Sequence, residues 1–135
     1  MKRSFALTFF AYLIPTFILG FCWHMIWFHD LYAQLNIYKP NPIIPFGLGS
    51  MIIQGAVFAW AYPRLFADAR EHWAKKSIRA AVVFGILSWS FTTLAVAAKH
   101  PMASIRTFVE IETAFTAIQF AIVAPLMTLV SRFNN

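Results

Sequence analysis

Four long apolar stretches dominate the sequence, approximately Phe5 to Phe28, Ile43 to Tyr62, Ile78 to Ala98 and Phe108 to Val130. Crossing the hydrocarbon of a bilayer takes about 20 predominantly apolar residues as a helix, and each stretch is long enough. Because no backbone N–H or C=O can go unpaired in hydrocarbon, such a segment must be a helix or part of a closed barrel. The strict alternation of a barrel strand is absent, so all four are read as α-helices despite their Phe, Ile and Val content. Composition agrees: 60% of residues are hydrophobic and 12% charged, where a soluble domain carries about 25% charged residues. The expected fold is all-α, a polytopic membrane protein forming one four-transmembrane-helix bundle over residues 1–135, with helices at about 5–28, 43–62, 78–98 and 108–130.

The connections set the expected topology. Met1-Lys2-Arg3 precedes the first stretch like the start of a signal peptide, but the apolar run is longer than such a core and lacks an A-x-A site, so a retained anchor is expected. Residues 29–42 contain Lys39-Pro40-Asn41-Pro42, which cannot continue a helix and is read as a stiff extracytoplasmic loop. Pro63 to Ser77 is polar and is expected to form a short surface helix in a cytoplasmic loop. Of the basic residues, Lys2, Arg3, Arg64, Arg70, Lys75, Lys76, Arg79 and Arg132 fall on one side and Lys39, Lys99 and Arg106 on the other. That asymmetry predicts an N-in, C-in protein of the inner (cytoplasmic) membrane with both termini cytoplasmic. The net charge of +6 is thus a matter of topology, and nucleic acid is not an expected partner.

Polar and small residues on the helices indicate which faces meet. At 100° per residue, Ala81, Gly85, Ser88, Thr92, Ala95 and Lys99 share one stripe of the third helix. Gly47, Ser50, Gln54 and Ala61 share one on the second, and Glu112, Thr116 and Gln119 one on the fourth. Such stripes mark helix contacts in membranes. Alternatively they enclose a small polar pocket in the outer half of the bundle, with Lys99 and Arg106 as the cations available to Glu112 and with Glu110 turned away. His24 lies with Trp23 and Trp27 on one face of the first helix, where it either pairs with Glu112 across the bundle or joins an outer aromatic belt. The pocket candidates are therefore Glu112, Thr116, Gln119, Ser88, Thr92, Gln54, His24 and Lys99.

Cys22, Met25 and His29 fall on one face of the first helix, a soft donor set of the kind that suits Cu(I). They extend over about 10 Å of axis, too far for one ion, so the expectation is packing and no bound metal. His24 and His29 sit on different faces, which disfavours haem, and no cofactor is expected. No nucleotide-binding loop, H-E-x-x-H or G-x-S-x-G motif is present, so no catalytic residue is assigned.

Trp23-His24-Met25, the loop Tyr38-Lys39-Pro40-Asn41-Pro42-Ile43-Ile44-Pro45-Phe46-Gly47 and the stretch Phe91-Thr92-Thr93-Leu94-Ala95-Val96-Ala97-Ala98-Lys99 resemble those of uncharacterised small four-helix inner-membrane proteins of bacteria. The resemblance implies the four-helix fold and a bacterial cytoplasmic membrane, and brings no activity with it. The expected function is that of a small non-enzymatic membrane protein, an accessory or assembly subunit acting through helix contacts in the membrane. Its partners would be the lipid bilayer and a larger membrane-protein complex or further copies of the chain. The alternative is a small-molecule or ion binder or transporter that uses the polar pocket. The topology has a direct check: in a Cys22→Ser background, a cysteine at Asn41 should react with an impermeant thiol reagent from outside, and one at Lys75 should not. The reverse labelling pattern contradicts the orientation.

Overall fold

The computed structural model describes residues 2–66, 68 and 70–132, and among these every regular element is helical. Helix α1 (Lys2–Phe21) continues as a π-helical stretch, Cys22–Trp27, and is followed by the short α2 (His29–Leu35). After α3 (Ile44–Leu65) comes α4 (Trp73–Trp89), which passes through a second π stretch, Ser90–Leu94, into α5 (Ala95–Lys99). The last helix is α6 (Ile105–Arg132). Four rods, Arg3–Trp27, Ile44–Leu65, Trp73–Lys99 and Ile105–Arg132, are long and apolar enough to cross a membrane.

Local chemistry fixes the ends. Pro45 in the first turn of α3 gives up only an N–H that would have no helical partner. His72 caps α4 by accepting from the Ala74 N–H at 3.3 Å, and Ser104 Oγ caps α6 by accepting from the Thr107 N–H at 3.2 Å. These caps place the start of α4 at Trp73 and that of α6 at Ile105, earlier than the apolar runs alone indicate. The expected surface helix between the second and third rods does not form among the described residues. Phe66, Asp68 and Arg70 to His72 are non-helical, and Glu71 is held to α4 by the Arg79 guanidinium, which donates to both carboxylate oxygens at 2.8 and 2.9 Å. The loop at 29–42 differs too, since its first half is α2. Asn36 ends α2 with a left-handed φ of 57°, a conformation that Asn tolerates better than most residues.

The rods lie in the order α3, α1, α6, α4, with α1 and α6 in the middle. Their pairings run antiparallel: Gln54 and Phe58 of α3 meet Tyr12 of α1, Gln119 of α6 meets Thr16, and Trp89 of α4 meets Thr113. Near the chain termini the core is aromatic and closed, built from Tyr12, Phe58, Tyr62, Phe66, Phe84 and Phe120. There the outer helices α3 and α4 touch through the stacked rings of Phe58 and Phe84, 4.2 Å apart. One turn further on they are joined by Gln54 Nε2 donating to Ser88 Oγ at 3.0 Å. Beyond that bond they line opposite walls of a cavity.

Lipid offers apolar side chains as good an environment as another helix, so close backbone approach and interhelical hydrogen bonds hold such a bundle. Gly55 supplies the approach between α3 and α1: a Cβ there would lie 2.9 Å from Tyr12 Cδ1 and 3.3 Å from the Phe9 ring. Overpacking of this kind typically costs about 1–3 kcal/mol, against the roughly 1 kcal/mol that Ala gains over Gly in a helix. Gly55→Ala should therefore lower the melting temperature of the purified protein. Gly49→Ala, where a Cβ meets nothing within 4 Å, should leave it unchanged or raise it. Equal responses would show that α1 and α3 are not in this close contact.

Candidate functional site

The cavity has a volume of about 380 Å³ and lies at the end of the bundle away from the chain termini, between α1, α3, α4–α5 and α6. Its floor is a polar layer. The Tyr12 hydroxyl donates to Gln54 Oε1, Gln54 Nε2 donates to Ser88 Oγ, and Gln119 Nε2 donates to Thr16 Oγ1 at 3.2 Å. Together these side chains link all four rods at one level. Above them stand Glu112, Phe108 and Phe115 of α6, His24 at the end of the first rod, and Thr92 and Val96 of the third. Tyr32 and Tyr38, on either side of the turn that ends α2, cover the top.

The covering segment is fastened by side chains. The Tyr32 hydroxyl donates to Glu112 Oε1 at 2.5 Å and accepts from Trp23 Nε1 at 3.2 Å. The result is a Trp23–Tyr32–Glu112 relay that ties the end of the first rod, α2 and α6. Tyr38 stacks on Tyr32 with ring centroids 5.2 Å apart, and its hydroxyl shares a hydrogen bond with His24 Nδ1 at 2.7 Å. On the backbone, the Ala103 N–H donates to the Leu35 carbonyl at 3.1 Å, fixing α2 to the approach to α6. Burial, reinforced by the nearby Glu112 carboxylate, pushes the Tyr32 and Tyr38 phenols up, well above the ordinary range. Both therefore stay protonated at any physiological pH, and Tyr32 remains a donor to Glu112.

Of the residues singled out from the sequence, Glu112, Gln119, Ser88, Thr92, Gln54 and His24 all line this cavity. Thr116 and Lys99 do not. Thr116 is buried against a separate groove between α4 and α6, with Ala81, Gly85 and Trp89, and Lys99 is exposed. The second π stretch explains Lys99. Ala95 N–H bonds back to the Ser90 carbonyl, an i→i+5 bond that accommodates an extra residue and rotates everything beyond it by about 100° relative to a regular wheel. Thr93 is accordingly the fully buried hydroxyl of this stretch, and His100, in place of Lys99, reaches the cavity.

Neither expected cation reaches Glu112. Arg106 Nε donates to Glu110 at 2.7 Å, and the partner of Glu112 is Tyr32. Nor does His24 pair with Glu112, since it is taken up with Tyr38 and packed against Tyr32 and Phe115. The soft face of the first rod is also redrawn by a π stretch, because Phe28 N–H donates to the Trp23 carbonyl. Cys22 is half-buried, Met25 is exposed and His29 sits against Asp30 at 3.3 Å. Among the described residues, no three His, Cys, Asp or Glu side chains stand together as metal ligands would.

Sequence reasoning missed Tyr12, Tyr32, Tyr38 and His100, and three of the four tyrosines in the chain line the cavity. Tyr12 had a signal, since it is a polar aromatic within an apolar helix. Tyr32 and Tyr38 lie outside the four apolar stretches, where a helical wheel has nothing to say. The chain matches no family model, no curated protein and no solved structure, so its function has to be read from this site.

The relay makes a quantitative expectation. Glu112→Leu strands the buried Tyr32 hydroxyl, and Tyr32→Phe strands both Trp23 Nε1 and the carboxylate. Each should cost about 1–3 kcal/mol in stability. Glu110→Leu breaks only an exposed pair and should cost less than about 1 kcal/mol. In a double-mutant cycle, Tyr32→Phe with Glu112→Leu should be milder than the sum of the two. Additive effects, or a Glu110 variant as damaging as the Glu112 one, would contradict the relay.

Proposed function

We propose that this chain is a small-molecule-binding membrane protein whose binding site is the cavity between α3 and α4–α5. The observation that carries the reading is the combination of volume and lining. A space of about 380 Å³ is within the range of ligand pockets, and polar side chains from all four rods converge on it. A bundle that needed only to pack would close this space with apolar side chains, as the layer around Phe58 and Phe84 does at the other end. The π stretches support the same reading, because both lie beside the cavity, and π-bulges recur where helices are reshaped around a site.

In this proposal the rods span the cytoplasmic membrane of a bacterium with both termini inside, following the distribution of Lys and Arg, and the cavity lies in the outer half of the bundle beneath Tyr32 and Tyr38. Arg64 fits such a placement: its guanidinium lies over the Trp60 ring at 4.3 Å, the pairing expected of residues near a membrane interface. A transporter would need a path through the aromatic layer, where Tyr12, Phe58 and Phe84 are buried and pack ring against ring, so binding or sensing is favoured over transport.

A second reading, an accessory or assembly subunit in a larger membrane complex or a homo-oligomer, draws on the shallow groove between α4 and α6. Ala81 and Ala117 there offer accessible small residues suited to another helix, beside the buried Gly85. The two readings separate in one experiment. A library of small aromatic and polar compounds is screened for thermal stabilisation of the purified protein, and a ligand present at 100 times its Kd should add about 2.7 kcal/mol. Thr92→Trp, which fills the cavity from the third rod, should abolish that response while leaving the unliganded protein folded. Stabilisation that survives Thr92→Trp, or none at all from a protein that co-purifies stoichiometrically with another membrane protein, favours the subunit reading.

A further inference from the structure

The walls of the cavity also indicate the charge of what it holds. Among the described residues, Glu112 is the single acidic residue lining it, and neither Lys nor Arg does so. The carboxylate has one hydrogen bond among the described residues, from Tyr32 to Oε1, whereas an ionised carboxylate offers about four acceptor sites. Burying a charged carboxylate alone is costly, so such a group either takes up a proton or pairs with a cation. Here the nearest basic side chain on the same helix, Arg106, is committed to Glu110, so a cationic occupant is the partner that would hold Glu112 in its charged form.

The remaining walls specify what kind of cation. The His24, Tyr32 and Tyr38 rings pack on one another, with centroids 4.6 Å apart for His24 and Tyr32 and 5.2 Å apart for Tyr32 and Tyr38. Phe115 closes on His24 at 4.9 Å. Aromatic faces attract a positive charge within about 6 Å of the ring centre, most strongly where water is excluded. A bare metal ion is a poor fit, because hard cations take about six or more oxygen ligands and much of this wall is ring and aliphatic carbon. An anion would face Glu112 with no counter-charge.

We propose that the cavity binds an organic cation, an ammonium group carrying an apolar substituent. The charge would sit against Glu112 and the aromatic rings, and the substituent against Met51, Val96 and Phe108. This rests on the small-molecule reading above and narrows it to a ligand class.

The test compares three probes of nearly equal size on the full chain in lipid nanodiscs: benzyltrimethylammonium, its uncharged carbon isostere neopentylbenzene, and benzenesulfonate. Binding is followed by tryptophan fluorescence and by melting temperature. Benzyltrimethylammonium should bind saturably and raise the melting temperature, with benzenesulfonate showing no binding and neopentylbenzene at least 10-fold weaker affinity. Glu112→Gln should weaken the ammonium at least 10-fold, and Glu110→Gln should leave it unchanged. Comparing probes on the unaltered chain keeps the test decisive even if the Glu112 variant does not fold. Equal binding of all three probes, or ammonium binding untouched by Glu112→Gln, would overturn the cation assignment and leave the cavity as a small-molecule site. Failure of all three to bind, together with no response in the compound screen, would overturn both.

Discussion

For four helices long and apolar enough to cross a membrane, hydrocarbon would remove the force that assembles a soluble core and leave close packing and the pairing of polar groups that lipid cannot satisfy. This chain uses both, at different levels of one bundle. At the end near the termini, rings interlock around Tyr12, Phe58 and Phe84, and Gly55 lets two helices approach. One turn further on, the hydrogen bonds among Tyr12, Gln54 and Ser88, with Gln119 to Thr16, tie the four rods together. Everything beyond that polar layer depends on it, because the layer both holds α3 near α4 and forms the floor of the cavity.

The opposite end is organised by a single carboxylate. Glu112 stands seven residues, or about 10 Å along the axis, inside the start of α6, where it needs a donor. Tyr32 provides one by bringing a short helix down over the bundle. The same hydroxyl accepts from Trp23, and its ring stacks on Tyr38, so one polar group orders three segments that share no regular packing pattern. An arrangement like this fixes the site from above as the polar layer fixes it from below. For the ligand proposed above, such a preformed place would remove part of the ordering cost of binding.

The two π stretches connect helix geometry to the site. Each accommodates one extra residue in its rod, so side chains before and after it point in directions no single wheel describes. In the third rod this turns Thr93 inward to complete burial and leaves Thr92 at the cavity. In the first, it carries His24 toward Tyr32 and Phe115. Irregular backbone is tolerated at membrane depth chiefly where it is buried in protein or borders a cavity, and both stretches border one.

The sequence alone determined that the chain is helical and that four segments are long enough to cross a bilayer, because run length and unmet backbone hydrogen bonds leave no other arrangement. It also singled out Glu112, Gln54, Ser88 and Gln119 as groups that need company, since a polar side chain in an apolar helix has few places to go. The partners were a different matter. Lys99 and Arg106 are nearest to Glu112 by charge and level, yet its donor is Tyr32, from a segment that periodicity cannot place. Thr116 shares a wheel stripe with Glu112 and faces a different groove. Those outcomes were decided by tertiary structure, because a wheel assumes a regular helix and a loop has no period. Both assumptions fail where the π stretches and the fold-back of α2 bring the site together.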